Sequence, residues 1–461
     1  MELKFFSIND LILVPLCYFF LWIILRSRAK RRSDPRERKL YYKAFYFKML
    51  SVLVFTLITE FYFGGGDTNL YYQGAKDLRQ AIGDDVEFVG NIVRSSSLST
   101  DNPLSTYFLY DNYAYDITYN YMKSPGNFFM PRLAVIPGLI FFNSYLCIAM
   151  CFAFFALGGA LRLFKVFHYY YPSSSRELAI ATLFLPSVSF WSSGLLKDTI
   201  CFGCVGFILY AVFSIRALKK NIGISAGIIA VCSYLLFMIK TYIFLVLLMT
   251  IAVWIFREMS QLIKKKSLRG AFTVITLTIG ITVSFFLVRY FTSQETLQQY
   301  QFENIASSAQ NQRSNYASVD QSMGGGSSYF QVNTSNTFLL VLGSISATFY
   351  RPFPWEVTSA AAALSAVESM LFLFATLYLF LRQGLLKPFG VIFGDPRLFM
   401  CFVFAMVFAI GVGASTANFG ALSRYKIPCL PFYMIMVMIT YRKLSLPYPA
   451  WLSKALGLLK I

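Results

Sequence analysis

Leu50-Ser51-Val52-Leu53-Val54-Phe55-Thr56-Leu57-Ile58-Thr59-Glu60-Phe61-Tyr62-Phe63-Gly64-Gly65-Gly66-Asp67-Thr68-Asn69-Leu70-Tyr71-Tyr72 reads as an apolar helix that stops at a triple glycine and hands over to a carboxylate. Such a run belongs in hydrocarbon. Similar stretches recur from end to end of the 461 residues, most of them near the ~20 residues needed to cross a bilayer core. Hydrophobic residues make up 57% of the chain and charged residues 14%, against about a quarter charged in soluble domains. The chain therefore reads as all-α, a polytopic transmembrane helical bundle, with residues 1–461 forming a single integral membrane domain.

A net charge of +19 would point to nucleic acid in a soluble protein. Here Lys and Arg sit in short clusters between apolar runs, which is the positive-inside pattern, so the basicity reports topology and no nucleic-acid partner is expected. The densest cluster, from Arg26 to Lys48, follows a first span at about Leu11 to Leu25 and predicts a cytoplasmic loop with the N-terminus outside. That first span carries its charges after the apolar core and lacks a small-residue cleavage site, so it reads as a retained anchor. The second span, about Leu50 to Phe63, then opens a first long outer loop, 64–132, which holds a large share of the acids.

A third span returns to Arg162, a fourth climbs to Trp191, and a fifth descends from Lys197-Asp198 to Arg216. A sixth and seventh form a hairpin whose tip is Lys240-Thr241-Tyr242. An eighth, about Phe272 to Phe291, leads into a second long outer loop, 292–358, containing Gly324-Gly325-Gly326 and a re-entrant segment from Phe338 to Phe349. Spans at about Ala360–Leu381, Leu398–Ala414 and Ile427–Tyr441 bring the total to about eleven, with a cytoplasmic C-terminus. All eight cysteines fall in apolar runs and read as buried free thiols.

Carboxylates at Glu60, Asp67, Asp198 and Glu356 and cations at Lys197, Lys240, Arg351 and Arg424 all fall at the predicted outer face. Charges beside hydrocarbon are costly and usually face a cavity or a partner, although any one of them also reads as a snorkelling or flanking charge. Asp67 stands apart, because three glycines permit a sharp turn that aims it; a plain glycine-rich helix stop is the simpler alternative. Arg351-Pro352-Phe353-Pro354-Trp355-Glu356 is stiffened by two prolines, and an arginine held that way suits a phosphate oxygen. Tyr71, Trp191, Trp355 and Glu356 read as substrate-facing, or, for the aromatics, as interfacial belt residues. Glu60 and Glu368 suit either an ion path or hydrogen bonding between helices. The sole histidine, His168, is predicted on the cytoplasmic side, which excludes imidazole chemistry outside, and no GxxxxGK[ST] loop occurs for ATP. What remains is a base from Asp67 and charge for a leaving phosphate from Lys197, Lys240, Arg351 and Arg424.

Three motifs carry a resemblance: Gly66-Asp67-Thr68-Asn69-Leu70-Tyr71, the tip Phe190-Trp191-Ser192-Ser193-Gly194-Leu195-Leu196-Lys197-Asp198, and Ser423-Arg424-Tyr425-Lys426-Ile427-Pro428 with Pro431. Together they resemble multi-span sugar transferases of the GT-C superfamily and similar envelope-polysaccharide polymerases. The resemblance implies transfer or polymerisation, with inversion, of sugars from a polyprenyl-phosphate-linked donor to a glycan or lipid acceptor at the outer face of a bacterial cytoplasmic membrane, among membrane lipids. It implies Asp67 as the carboxylate acting on the acceptor and Lys197, Arg351 and Arg424 on donor phosphate. Many members carry two acids near this loop, whereas Thr68 follows Asp67 here, so the second carboxylate falls to Glu60, Asp77 or Asp198, and a divalent metal stays possible as cofactor. A transporter or flippase of a lipid-linked or amphipathic substrate is the alternative, motivated by Glu60, Glu368 and the broken segment near Arg351.

Overall fold

The computed structural model describes residues 3–109, 117–263, 310–311, 314, 318, 329–330, 332 and 336–458. Among these the architecture is all-helical, apart from an isolated bridge between Tyr329 and Asn418. Among the described residues seven helices are long and apolar enough to cross a membrane. The chain divides into two compact units, Met1–Pro172 with Thr182–Thr241, and Ser173–Ala181 with Tyr242–Lys460.

In the first unit, α1 (Asp10–Lys30) starts at a buried acid: Asp10 accepts from the Ser7 amide at 2.8 Å and from the Ser144 hydroxyl at 2.5 Å. Helix α2 (Pro35–Ile58) follows after only four residues, with Asp34 as its cap and Pro35 at its first position. The basic loop expected from Arg26 to Lys48 is therefore mostly helix. Lys48 lies buried inside α2, where its ammonium donates to the Ser189 carbonyl (3.1 Å) and the Ser192 hydroxyl (2.5 Å), contacts that offset its burial. A π-turn, Thr59–Phe63, extends α2 to a 29-residue apolar segment.

Beyond the glycines the segment expected as a first outer loop is, in its described residues, helical too: α3 (Asp67–Asp84), α4 (Phe88–Arg94), α5 (Ser105–Leu109), α6 (Ile117–Met122) and α7 (Pro125–Ile140). Helix α3 lies against α7 so closely that a Cβ on Gly74 would come within 2.9 Å of the Pro131 ring. The third expected span, returning to Arg162, is one helix, long and apolar enough to cross, and a turn separates it from α7. Phe142 and Asn143 take left-handed conformations (φ 49° and 58°), and Ser144 then caps α8 (Tyr145–Tyr170). The fourth expected span is instead broken, into α9 (Ser175–Leu183) and α10 (Pro186–Trp191), because Pro186 offers no amide and holds Leu185 extended (ψ 121°).

Helix α11 (Lys197–Phe213) runs parallel to α8, their contacts climbing together from Gly159 with Gly203 and Gly206, through Arg162 with Phe207, to Tyr170 with Phe213. A Cβ on Gly159 would overlap the Gly203 carbonyl, and one on Gly206 would overlap the Gly159 carbonyl, so the two backbones touch directly. The expected sixth and seventh spans appear as α12 (Ile222–Gln261), 40 residues long, broken at Lys240 (φ −147°, ψ 82°).

In the second unit, the later part of α12 is followed by α13 (Thr337–Tyr350), α14 (Ala360–Gln383), α15 (Leu386–Gly394), α16 (Pro396–Ser415), α17 (Phe419–Tyr425), α18 (Leu430–Lys443) and α19 (Ala450–Leu458). Helix α13 has 14 residues, short of a crossing. It is joined to α16 by Thr348, whose hydroxyl donates to the Ala409 carbonyl at 2.9 Å. Residues Leu430–Tyr441 of α18 are buried on every side. The eight cysteines are free, seven buried and Cys151 half-buried. The expected eighth span and the Gly324-Gly325-Gly326 segment lie outside the described residues.

Candidate functional site

The glycine hinge turns the chain through three successive positive φ values, 68°, 128° and 81° at Gly64, Gly65 and Gly66, and Asp67 follows as the first residue of α3. A half-buried carboxylate there sits at the positive end of the helix. Thr68, beside it, shares a 2.8 Å hydrogen bond with the buried Tyr145 hydroxyl, and the Leu195 backbone lies near the same oxygen. Tyr145 thereby ties the Asp67 turn to the turn that launches α11. Phe63 and Trp191 stack beside the hinge with centroids 6.1 Å apart, and Gly194 fits under Phe55 only because it lacks a Cβ.

Lys197 and Asp198 open α11. A lysine in a first helical turn opposes the helix dipole, so its position reflects its neighbours: Asp67, Asp198 and Lys240 all lie within electrostatic reach of its ammonium. A Cβ on Gly126 would stand 3.2 Å from Lys197 Nζ and 3.0 and 3.2 Å from the Ile239 and Met238 carbonyl oxygens. Glycine at 126 thus leaves room for this amine next to the break in α12. That break turns Lys240 onto Asp198, forming an ion pair in which Lys240 is 10% and Asp198 1% exposed. The first unit therefore gathers Asp67, Lys197, Asp198 and Lys240.

The other proposed second acids are placed elsewhere. Glu60 accepts from the Lys4 and Phe5 amides (2.9 and 3.0 Å) and so anchors the N-terminal segment. Asp77 is buried on α3 and accepts from Gln73 at 3.3 Å. Tyr71, expected to face substrate, is buried, with its hydroxyl 3.1 Å from that of Tyr121 and 3.4 Å from Asn127 Oδ1. Among the described residues no three His, Cys, Asp or Glu side chains gather as a metal site.

The second unit holds the remaining residues. Arg351 forms a two-pronged pair with Glu356, its Nε 3.0 Å from Oε2, while Glu356 also accepts from the Phe353 amide at 2.8 Å. The guanidinium lies over Phe330 (4.7 Å) and Phe419 (5.4 Å), an arrangement that fixes its plane. Trp355, 79% exposed, stacks on Phe353 with centroids 4.9 Å apart. Arg424 lies over the ring of Tyr425 at 5.1 Å.

No family model, curated protein or solved structure matches this chain. Its function is therefore read from these side chains. Sequence reasoning passed over two of them. Lys426 is buried, donates to Ser369 at 3.3 Å and stands within reach of Glu368. Its signal was a lysine at the mouth of an apolar run. Tyr145 carried no signal, since one tyrosine at the start of an apolar run resembles any interfacial aromatic.

Proposed function

We propose that this chain transfers or polymerises sugars from a polyprenyl-phosphate-linked donor at a membrane surface, with Asp67 as the base. The observation that carries the reading is the grouping of Asp67 with Lys197 beside the broken helix at Lys240, two charges of opposite sign on separate elements joined through Tyr145. In the reaction Asp67 takes the proton of an acceptor hydroxyl as its oxygen attacks the anomeric carbon from the face opposite the leaving group. The bond from that carbon to the phosphate oxygen breaks, and Lys197 answers the charge that collects on the departing phosphate. Lys240 is held by Asp198, so its part is to fix the floor of the site. Within the second unit Arg351 is likewise held, by Glu356, so its part is to fix the Arg351–Glu356 turn, beside which Trp355 presents an exposed ring. The matching topology has about eleven crossings of a bacterial inner membrane, N-terminus outside and C-terminus cytoplasmic.

The test is consumption of lipid-linked saccharide by the purified full chain in proteoliposomes. Asp67→Asn abolishes turnover while leaving thermal unfolding close to that of the wild type. Retained turnover, or a loss that only tracks unfolding, removes Asp67 from the reaction.

A further inference from the structure

The first unit has a second charged centre, at the end opposite Asp67. Tyr145, which holds the Asp67 turn, and Arg162 are about 17 residues apart on α8, roughly 25 Å along the axis. At that far end Arg28 of α1, Arg32 just beyond it, and Arg162 and Lys165 of α8 converge. Lys165 is in electrostatic reach of the other three and of Glu37. The Tyr41 hydroxyl lies among Arg32, Glu37, Arg162 and Tyr210. Aromatic rings floor the cluster: Lys165 Nζ is 5.6 Å from the Tyr41 ring and 5.8 Å from that of Tyr210, and Arg162 lies 4.1 Å over Phe207.

Topology alone does not require this arrangement. The positive-inside pattern asks only that Lys and Arg lie near span ends, and free side chains would spread to lessen repulsion. Arg162 and Lys165 instead turn inward, half-buried, on a helix that is itself mostly buried. Glu37 offers partial compensation, 3.7 Å from Arg32, longer than the ~2.8 Å of a charge-assisted hydrogen bond. Tyr41 is 2% exposed, and among the described residues neither its hydroxyl nor Arg32 Nε has a hydrogen-bond partner. A buried neutral donor and a guanidinium N–H set among four cations suit an anion with several acceptor oxygens.

We propose that Arg32, Arg162, Lys165 and Tyr41 form a binding site for a phosphate-bearing anion, distinct from the Asp67 centre. The phosphate belongs either to a lipid headgroup or to a soluble polyphosphate. The full chain, purified in neutral detergent, is titrated with short-chain phosphatidylglycerol and, separately, with inorganic pyrophosphate. Phosphatidylcholine is the control, and thermal unfolding is followed. At least one of the two anions raises the wild-type Tm saturably, and phosphatidylcholine does not. A response to the lipid alone assigns a headgroup; a response to pyrophosphate assigns a soluble phosphate. Arg162→Gln/Lys165→Gln abolishes the response, and without ligand this variant is no less stable than the wild type, because repulsion is relieved. Tyr41→Phe, which keeps the ring beneath Lys165, weakens binding roughly threefold to tenfold, the scale of one hydrogen bond. Equal responses of the wild type and both variants, or no response to either anion, would overturn the proposal.

Discussion

Asp198→Asn separates a structural acid from a reactive one. Asp198 is 1% and Lys240 10% exposed, so neither charge is hydrated. At an effective dielectric of about 20 and a separation near 2.8 Å their attraction is about 6 kcal/mol. Desolvation cancels much of this, and removing one partner of such a pair costs about 3–5 kcal/mol, because the other is left buried and uncompensated. Asparagine keeps one acceptor oxygen for Lys240, which places the loss near the lower end, about 3 kcal/mol. Adding Lys240→Met removes the stranded charge and leaves Asp67 and Lys197 in balance, so the double variant recovers about 1–2 kcal/mol. Asp67→Asn, half-buried at a helix start, costs only about 0.3–1 kcal/mol. Equilibrium unfolding of the three variants in mixed micelles measures each term. Equal losses for Asp67→Asn and Asp198→Asn, or a double variant no more stable than Asp198→Asn, would refute this division of labour.

Gly206→Ala drives a methyl into the Gly159 carbonyl and lowers stability by about 1–3 kcal/mol, whereas Gly227→Ala, which meets nothing within 4 Å, gains up to about 1 kcal/mol. Matched shifts in Tm for the two would contradict the direct backbone contact of α8 and α11. Tyr145→Phe removes the hydroxyl bonded to Thr68; it costs about 1 kcal/mol and lowers kcat of the proposed transfer, so an unchanged kcat would show the link to be structural only. Burial pushes the Tyr72 phenol, which donates to the Asn143 carbonyl at 2.7 Å, from 10.0 up to about 12. The unfolded chain ionises first, so stability falls as pH rises from about 10 to about 12. Tyr72→Phe flattens that alkaline loss, and superimposable profiles would remove Tyr72 as its source.

The helical, apolar character of the chain was legible because the runs are long and the charges sit at their ends. The same pattern assigned Glu60, Asp67, Asp198, Glu356, Lys197, Lys240, Arg351 and Arg424 to one face, but only contacts single out Asp67, Lys197, Asp198 and Lys240 as neighbours within the first unit. Lys48 could not be read, since a lysine that ends a basic cluster and one inside a helix look alike until Ser189 and Ser192 are found beside it. Glu60 suggested an ion path, yet its partners are two backbone amides from a segment more than fifty residues earlier. The turn at Phe142-Asn143 is announced only by Pro137-Gly138 several residues upstream, whose carbonyls accept from the Phe141 and Asn143 amides. Glycines 159, 203 and 206 acquire meaning only once α8 and α11 are paired.

The hinge before Asp67 also has a stereochemical consequence. Gly64 and Gly66 have empty space where a side chain would go, so what bars an L-residue there is handedness and not crowding. The positive φ values are those a D-residue favours, so D-alanine, introduced by semisynthesis, suits the backbone at both positions, while L-alanine strains it. The aim of the carboxylate is thus encoded in backbone chirality, and a mirror-image residue is the one replacement that could sharpen it.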